Sequence, residues 1–243
     1  MNQAFIHSHS DPAPTSTRTF FGQTMGYLAL ALTATASGVF AGMFWLPPAL
    51  LANSGFMLAM FAVTLILIFT ARKWSVGRFG YLFLILFAGI LGLTLVPILA
   101  YATLTAGIGI LGKALLATVS MFGGMAIYGF TTKRDLSGIG GFLMAGLIGM
   151  ICVSVITFIF HLFGVEIWSS RIELIFSGFG ILLFAGFTAH DFQKITRAQP
   201  GISPISAAIS LFLDFVLLFQ YILRFMIAMN RDGQKFCNLF SFH

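Results

Sequence analysis

Asp214 stands where a carboxylate is hardest to keep. Its setting, Leu211-Phe212-Leu213-Asp214-Phe215-Val216-Leu217-Leu218-Phe219, is otherwise apolar, and an ionisable group at the centre of a membrane helix costs on the order of 3 kcal/mol or more by insertion scales. A second carboxylate, Asp191, closes another apolar stretch in Phe187-Thr188-Ala189-His190-Asp191-Phe192-Gln193. Arg224 follows Asp214 by ten residues, about 15 Å along one helix at the standard rise. Carboxylates on two consecutive helices can meet, and three chemistries are then open. In contact, they favour sharing one proton over carrying two charges, which makes a proton-operated latch. Their oxygens also suit a hard cation such as calcium. In a catalytic pair, one Asp would activate water while the other protonates a scissile carbonyl.

Each residue also has a purely structural role open to it. Asp191 is equally well placed as an interfacial residue at a helix end. Asp214 stays costly at mid-span even if Arg224 or Lys194 neutralises it. Arg224 lies within a turn or two of its helix end and can snorkel to the surface. His161 and His190 read as hydrogen-bonded packing or interface histidines, because their neighbours supply no metal set. The catalytic option is the weakest. Intramembrane aspartyl proteases place their second aspartate after Gly-x-Gly, where substrate backbone can approach, whereas bulky Phe212-Leu213 precede Asp214. The chain is therefore read as non-enzymatic.

The elements that hold these residues follow from composition. Hydrophobic residues make up 58% of the 243 and charged residues 8%, against roughly a quarter charged in a soluble domain. Such a chain has no water-soluble surface and belongs in a lipid bilayer. The balance of 13 Lys and Arg against 7 Asp and Glu gives a net charge of +6, but the basic residues are scattered between apolar runs without a stripe or recognition motif, which argues against nucleic acid. Cys152 and Cys237 form no disulfide framework or metal-type pairing and read as packing residues. No cofactor is implied.

About 20 apolar residues cross the hydrocarbon core. The charge-free run between Arg18 and Arg72 is broken by Pro47-Pro48 and Asn53-Ser54-Gly55, which gives a first span near 22–46 and a second near 51–71. Further windows place spans near 79–101, 112–131 and 138–164, a sixth of marginal length over 173–190 and a seventh over 203–229. The domain organisation is then a flexible cytoplasmic tail over 1–19, a seven-helix transmembrane domain over 20–230 and a short tail over 231–243. Polar His7, His9 and Asp11 lie in the first tail and read as solvated. The first span reads as an uncleaved anchor. With the N-terminus inside, eight basic residues fall on the cytoplasmic side and four on the other, so the positive-inside rule puts the N-terminus in the cytoplasm and the C-terminus outside. Trp45, Trp74 and Trp168 fall at span ends, where indoles favour the interface. Gly38 and Gly42, Gly89 and Gly92, Gly123 and Gly124, Gly146 and Gly149, and Gly178, Gly180 and Gly186 let helices approach closely. Gly107-Ile108-Gly109-Ile110-Leu111-Gly112 matches a dinucleotide fingerprint only on paper, since no strand precedes it.

Three separated segments carry a family resemblance. Met121-Phe122-Gly123-Gly124-Met125-Ala126-Ile127-Tyr128-Gly129-Phe130 with Thr131-Thr132-Lys133-Arg134-Asp135-Leu136-Ser137-Gly138 is similar to the helix 4 to helix 5 signature of the Bax inhibitor family, the transmembrane Bax inhibitor motif proteins. Asp191-Phe192-Gln193-Lys194, and Leu211-Phe212-Leu213-Asp214 running to Leu223-Arg224-Phe225, resemble its two carboxy-terminal signatures, and Thr94-Leu95-Val96-Pro97-Ile98 resembles its third helix. The likeness runs from about the second span to the seventh, and the short tails are most similar to bacterial members. It implies an all-α polytopic membrane protein of seven transmembrane helices with a central carboxy-terminal helix, in the bacterial inner membrane. It also implies a calcium leak controlled by pH through an aspartate pair, which falls on Asp191 and Asp214. Arg224 matches the arginine after the second aspartate, and Arg72 matches less closely one that holds the pair closed. The second span lacks the carboxylate that some bacterial members carry. Asp135 falls in a loop, where it is expected to fix the turn with Lys133 or Ser137. The other function in view is regulatory, through binding to membrane proteins or a membrane protease without transport.

Overall fold

The computed structural model describes residues 17–45, 47, 55–56, 59–60, 62–64, 66, 80–165, 169–197 and 202–240. Its regular elements are all helical: α1 (Thr17–Trp45), α2 (Gly80–Ala106), α3 (Gly109–Thr131), a 3₁₀ turn (Ser137–Ile139), α4 (Gly140–Leu162), α5 (Ser170–Thr196) and α6 (Pro204–Phe240). All six α-helices are long and apolar enough to cross a membrane. The protein is an integral membrane protein, and among the described residues six spans stand where seven are expected. The second expected span, 51–71, lies largely outside them; its described residues are helical.

Local chemistry sets the boundaries. Ser203 caps α6, its Oγ accepting from the Ser206 N–H at 3.1 Å, and Pro204 follows at the first helical position, where a missing N–H costs nothing. Gly107, at φ +79°, turns the chain between α2 and α3 in a conformation that side chains resist. The connection expected over about ten residues thus contracts to two. Both outer helices outrun their expected limits. α1 begins inside the presumed tail, at Thr17, and α6 continues through 37 residues to Phe240 where a tail was expected from 231. Three buried threonines are satisfied within their own helices. Thr24, Thr118 and Thr188 each donate to the carbonyl four residues back, at 2.7 to 2.9 Å, so a buried hydroxyl is tolerated.

Contacts fix the direction of each helix. Thr35 Oγ1 donates to Ala88 O at 3.1 Å and Tyr27 meets Tyr81, so α1 and α2 run parallel. α5 and α6 form an antiparallel hairpin, with Phe184 stacked on Tyr221 and Glu173 reaching Arg231. One end of the bundle therefore gathers the starts of α1 and α2, the α3–α4 loop and the α5–α6 connection. α6 lies at the centre, packed against α1, α2, α3 and α5, whereas α4 rests mainly on α5. The outer surface carries Phe40, Phe44 and Trp45 on α1 and Phe142 and Ile148 on α4, a skin that contacts the lipid bilayer. Cys152 is exposed on that skin and is not the packing residue expected.

Glycine packing divides the expected positions. A Cβ on Gly38 would collide with the Gly89 carbonyl, and one on Gly92 with the Thr35 carbonyl, so α1 and α2 touch backbone to backbone. Gly146, Gly180 and Gly186 likewise admit a neighbouring side chain. Gly123, Gly124 and Gly149 face open space, contrary to expectation, and the close α3–α5 contact falls on Gly129, where a Cβ would lie 2.5 Å from Ala189 O.

Candidate functional site at the α5–α6 hairpin

The hairpin brings the two carboxylates to the same level. Asp214, ten residues into α6, is 6% exposed, and its Oδ2 is the one buried side-chain nitrogen or oxygen among the described residues without a hydrogen-bond partner. Since polar groups in such surroundings are normally paired, this atom marks the site. Among the described residues, the charged groups whose fields bear on Asp214 are Asp191 and Lys194, both on α5. Asp191 Oδ1 lies 3.2 Å from His190 Nδ1 and 3.7 Å from Lys194 Nζ. On the far side of His190, Nε2 faces Gly140 at the start of α4. Phe122 packs edge to face against Phe192 and Phe215, at 5.4 and 5.3 Å, and Phe212 meets Phe87 at 6.0 Å. Asp214 is itself buried in this largely apolar core, where charge is weakly screened.

Several expected placements change. Asp191 does not end its helix, because α5 continues to Thr196. Arg224 is exposed, and its charge bears on Tyr221. It is not brought to the carboxylates; Lys194 and His190 stand there instead. Arg72 lies outside the described residues, as do Trp74, Trp168, the His7–Asp11 segment and the side chains of His161 and Cys237. Among the described residues no group of three or more His, Cys, Asp or Glu is arranged to hold a metal.

A clamp beside the site escaped sequence reasoning. Gln193, 4% exposed, accepts from the Leu136 N–H at 2.8 Å and donates Nε2 to Arg134 O at 2.7 Å. One turn on, Arg197 donates to Asp135 Oδ1 at 2.7 Å and to Arg134 O at 3.3 Å. Asp135 also receives the Ser137 hydroxyl at 2.6 Å and its N–H at 3.1 Å. These Ser137 bonds, then the Arg197 charge, hold the Asp135 carboxyl below its ordinary range. The turn is thus fixed by Ser137, as expected, and by Arg197 in place of Lys133. Gln193 of α5 and the Arg197 that caps it grip one loop, 57 to 63 residues away in sequence, and no local pattern announces such a pairing.

A bundle of membrane-crossing helices with two carboxylates between its central helix and that helix's antiparallel neighbour defines a polytopic membrane protein with an ionisable core. Residues 17–232 match the family described as Inhibitor of apoptosis-promoting Bax1. The chain belongs to this Bax inhibitor family. It is 31% identical over 225 residues to inner membrane protein YbhL of Escherichia coli, covering 85% of this chain and 90% of that one. A Deinococcus radiodurans protein is 32% identical over 228 residues, 88% of this chain and 92% of the relative. A Helicobacter pylori protein is 34% identical over 178 residues, 73% of each.

Proposed function

We propose that the protein is a pH-sensitive cation leak of the bacterial inner membrane, calcium being the ion, in which Asp191 and Asp214 act as sensor and gate. The observation that carries this is the unpartnered Asp214 Oδ2, held in an apolar core within the field of a second carboxylate. A proton or a cation is what such an oxygen lacks. Two carboxylates supply fewer oxygens than the six to eight that calcium takes, so an ion there keeps much of its water and passes on readily. The role is non-enzymatic and needs no resident cofactor. Arg72 and Arg224 are proposed to act from outside the pair. The parallel course of α1 and α2 supports seven spans, since a connection between parallel membrane helices recrosses the bilayer. In this proposal the N-terminus is cytoplasmic and the C-terminus outside.

The test is calcium flux into proteoliposomes across a pH series. Wild-type protein should conduct with a pH dependence that Asp191→Asn combined with Asp214→Asn removes; unchanged flux and pH dependence in the double variant would sink the proposal. A second reading rests on Gly123, Gly124 and Gly149, which meet nothing within 4 Å and would let a partner helix dock. In it, the protein regulates other membrane proteins or a membrane protease without transport. Stoichiometric partner capture by crosslinking, with no flux from the purified protein, would favour it.

A further inference from the structure

We propose that Lys194 is a tethered cation that competes with the mobile ion for the Asp191–Asp214 site, so that its ammonium is a built-in inhibitor of cation entry. The inference rests on the proposed cation-leak reading of that site and concerns its regulation. Three observations carry it. Lys194 Nζ lies 3.7 Å from Asp191 Oδ1, one turn along the same helix, and its charge reaches Asp214 as well. Its side chain is 39% exposed against 15% for Asp191, so the ammonium stands on the outer side of the carboxylate it faces. Finally, Asp214 Oδ2 remains without a partner at the inner end. A flexible four-carbon stem carrying a compact charge can leave for water without moving the helix, whereas the clamp formed by Gln193 and Arg197 keeps α5 itself in place.

Charge counting gives the consequence. Among the described residues, the titratable groups at the site are Asp191, Lys194 and His190 from α5 and Asp214 from α6; α3 contributes Phe122, packed on Phe192 and Phe215 beside the two aspartates in sequence. When the shared proton has left, the two carboxylates against this one ammonium leave a single uncompensated negative charge among the described groups. With Lys194 docked, an incoming divalent ion meets about half the charge it would otherwise find. With Lys194 swung out, both carboxylates face the ion.

Calcium binding to the purified full-length protein in nanodiscs, followed by titration calorimetry at neutral pH, tests this. Lys194→Met should bind at least about tenfold more tightly than wild type, a conservative figure for removing a unit charge a few ångströms away at intermediate dielectric. Lys194→Arg should stay near wild type, and Lys194→Met with Asp214→Asn should lose the gain. Lys194→Gln serves if the methionine variant fails to fold. Affinity in the neutral variants no higher than wild type, or a gain that survives Asp214→Asn, overturns the competitor. Those outcomes leave the carboxylate requirement for flux standing, whereas flux indifferent to Asp191 and Asp214 removes the leak reading whatever calorimetry gives.

Discussion

Gln193 is the residue whose loss should be felt most clearly away from the carboxylates. It satisfies an N–H and a C=O of a loop on either side of Asp135, and the Leu136 side chain beneath is buried. Gln193→Leu leaves the buried Leu136 N–H without its partner, which costs about 1–3 kcal/mol, and leaves Arg134 O with the Arg197 guanidinium alone. The expected result is a lower thermal midpoint in detergent and faster amide exchange over residues 134–137; unchanged exchange there would show that the clamp is dispensable. Gln193→Glu should be intermediate, because it keeps the acceptor for Leu136 and loses the donor for Arg134. At this scale the sequence spoke loudly about Asp214 and hardly at all about Gln193. A carboxylate in an apolar run is conspicuous because of what surrounds it in the chain. A glutamine near a helix end is unremarkable until its partner loop is folded against it. Lys194 falls between these cases: it was legible as a neutralising charge, and only the geometry separates it from Arg224, which faces outward.

For the helices, backbone proximity decides where substitution matters. Gly38→Val should force α1 from α2, since the added atoms meet the Gly89 carbonyl and have no flexible side chain to push aside. Overpacking of this kind costs typically about 1–3 kcal/mol. Gly124→Val should leave the melting temperature close to wild type, because nothing lies within 4 Å of its Cβ position. Equal losses from the two variants would contradict the assigned interface. Charge-free windows located the helices but set the ends of α2, α5 and α6 too early. Asp191, Gln193 and Lys194 look like the close of a span when charge alone is counted, yet α5 runs through them, because a neighbouring side chain or loop answers each one. Glycine spacing was similarly blind to which face turns inward, so Gly129 went unnoticed while Gly123 and Gly124 drew attention.

Across the whole bundle, orientation and assembly come together. The end that gathers the start of α1, the α3–α4 loop and the α5–α6 connection carries Arg18, Lys133, Arg134, Lys194 and Arg197, and the opposite end carries Lys113, Arg171, Arg231 and Lys235. The excess at the first end is the basis for proposing that it faces the cytoplasm. A single cysteine at Lys133→Cys, in a background lacking Cys152 and Cys237, should react with a membrane-impermeant maleimide in inside-out vesicles and stay unlabelled in right-side-out ones. The reverse pattern would invert the assignment. The all-helical class was legible from hydropathy alone, because the bilayer leaves few other solutions. The central place of α6 was expected only through family resemblance, since no periodicity says which of several apolar helices lies innermost.

The length of α6 has a mechanical meaning. Its 37 residues make a rod of about 55 Å, well beyond the roughly 30 Å hydrocarbon core. From Asp214 to Phe240 is about 39 Å at the helical rise, so a tilt of 5° about the carboxylate would carry the far tip by roughly 3 Å. Were α6 to tilt as a rigid rod at the level of the ionisable pair, a small adjustment there would become a larger displacement at its far end.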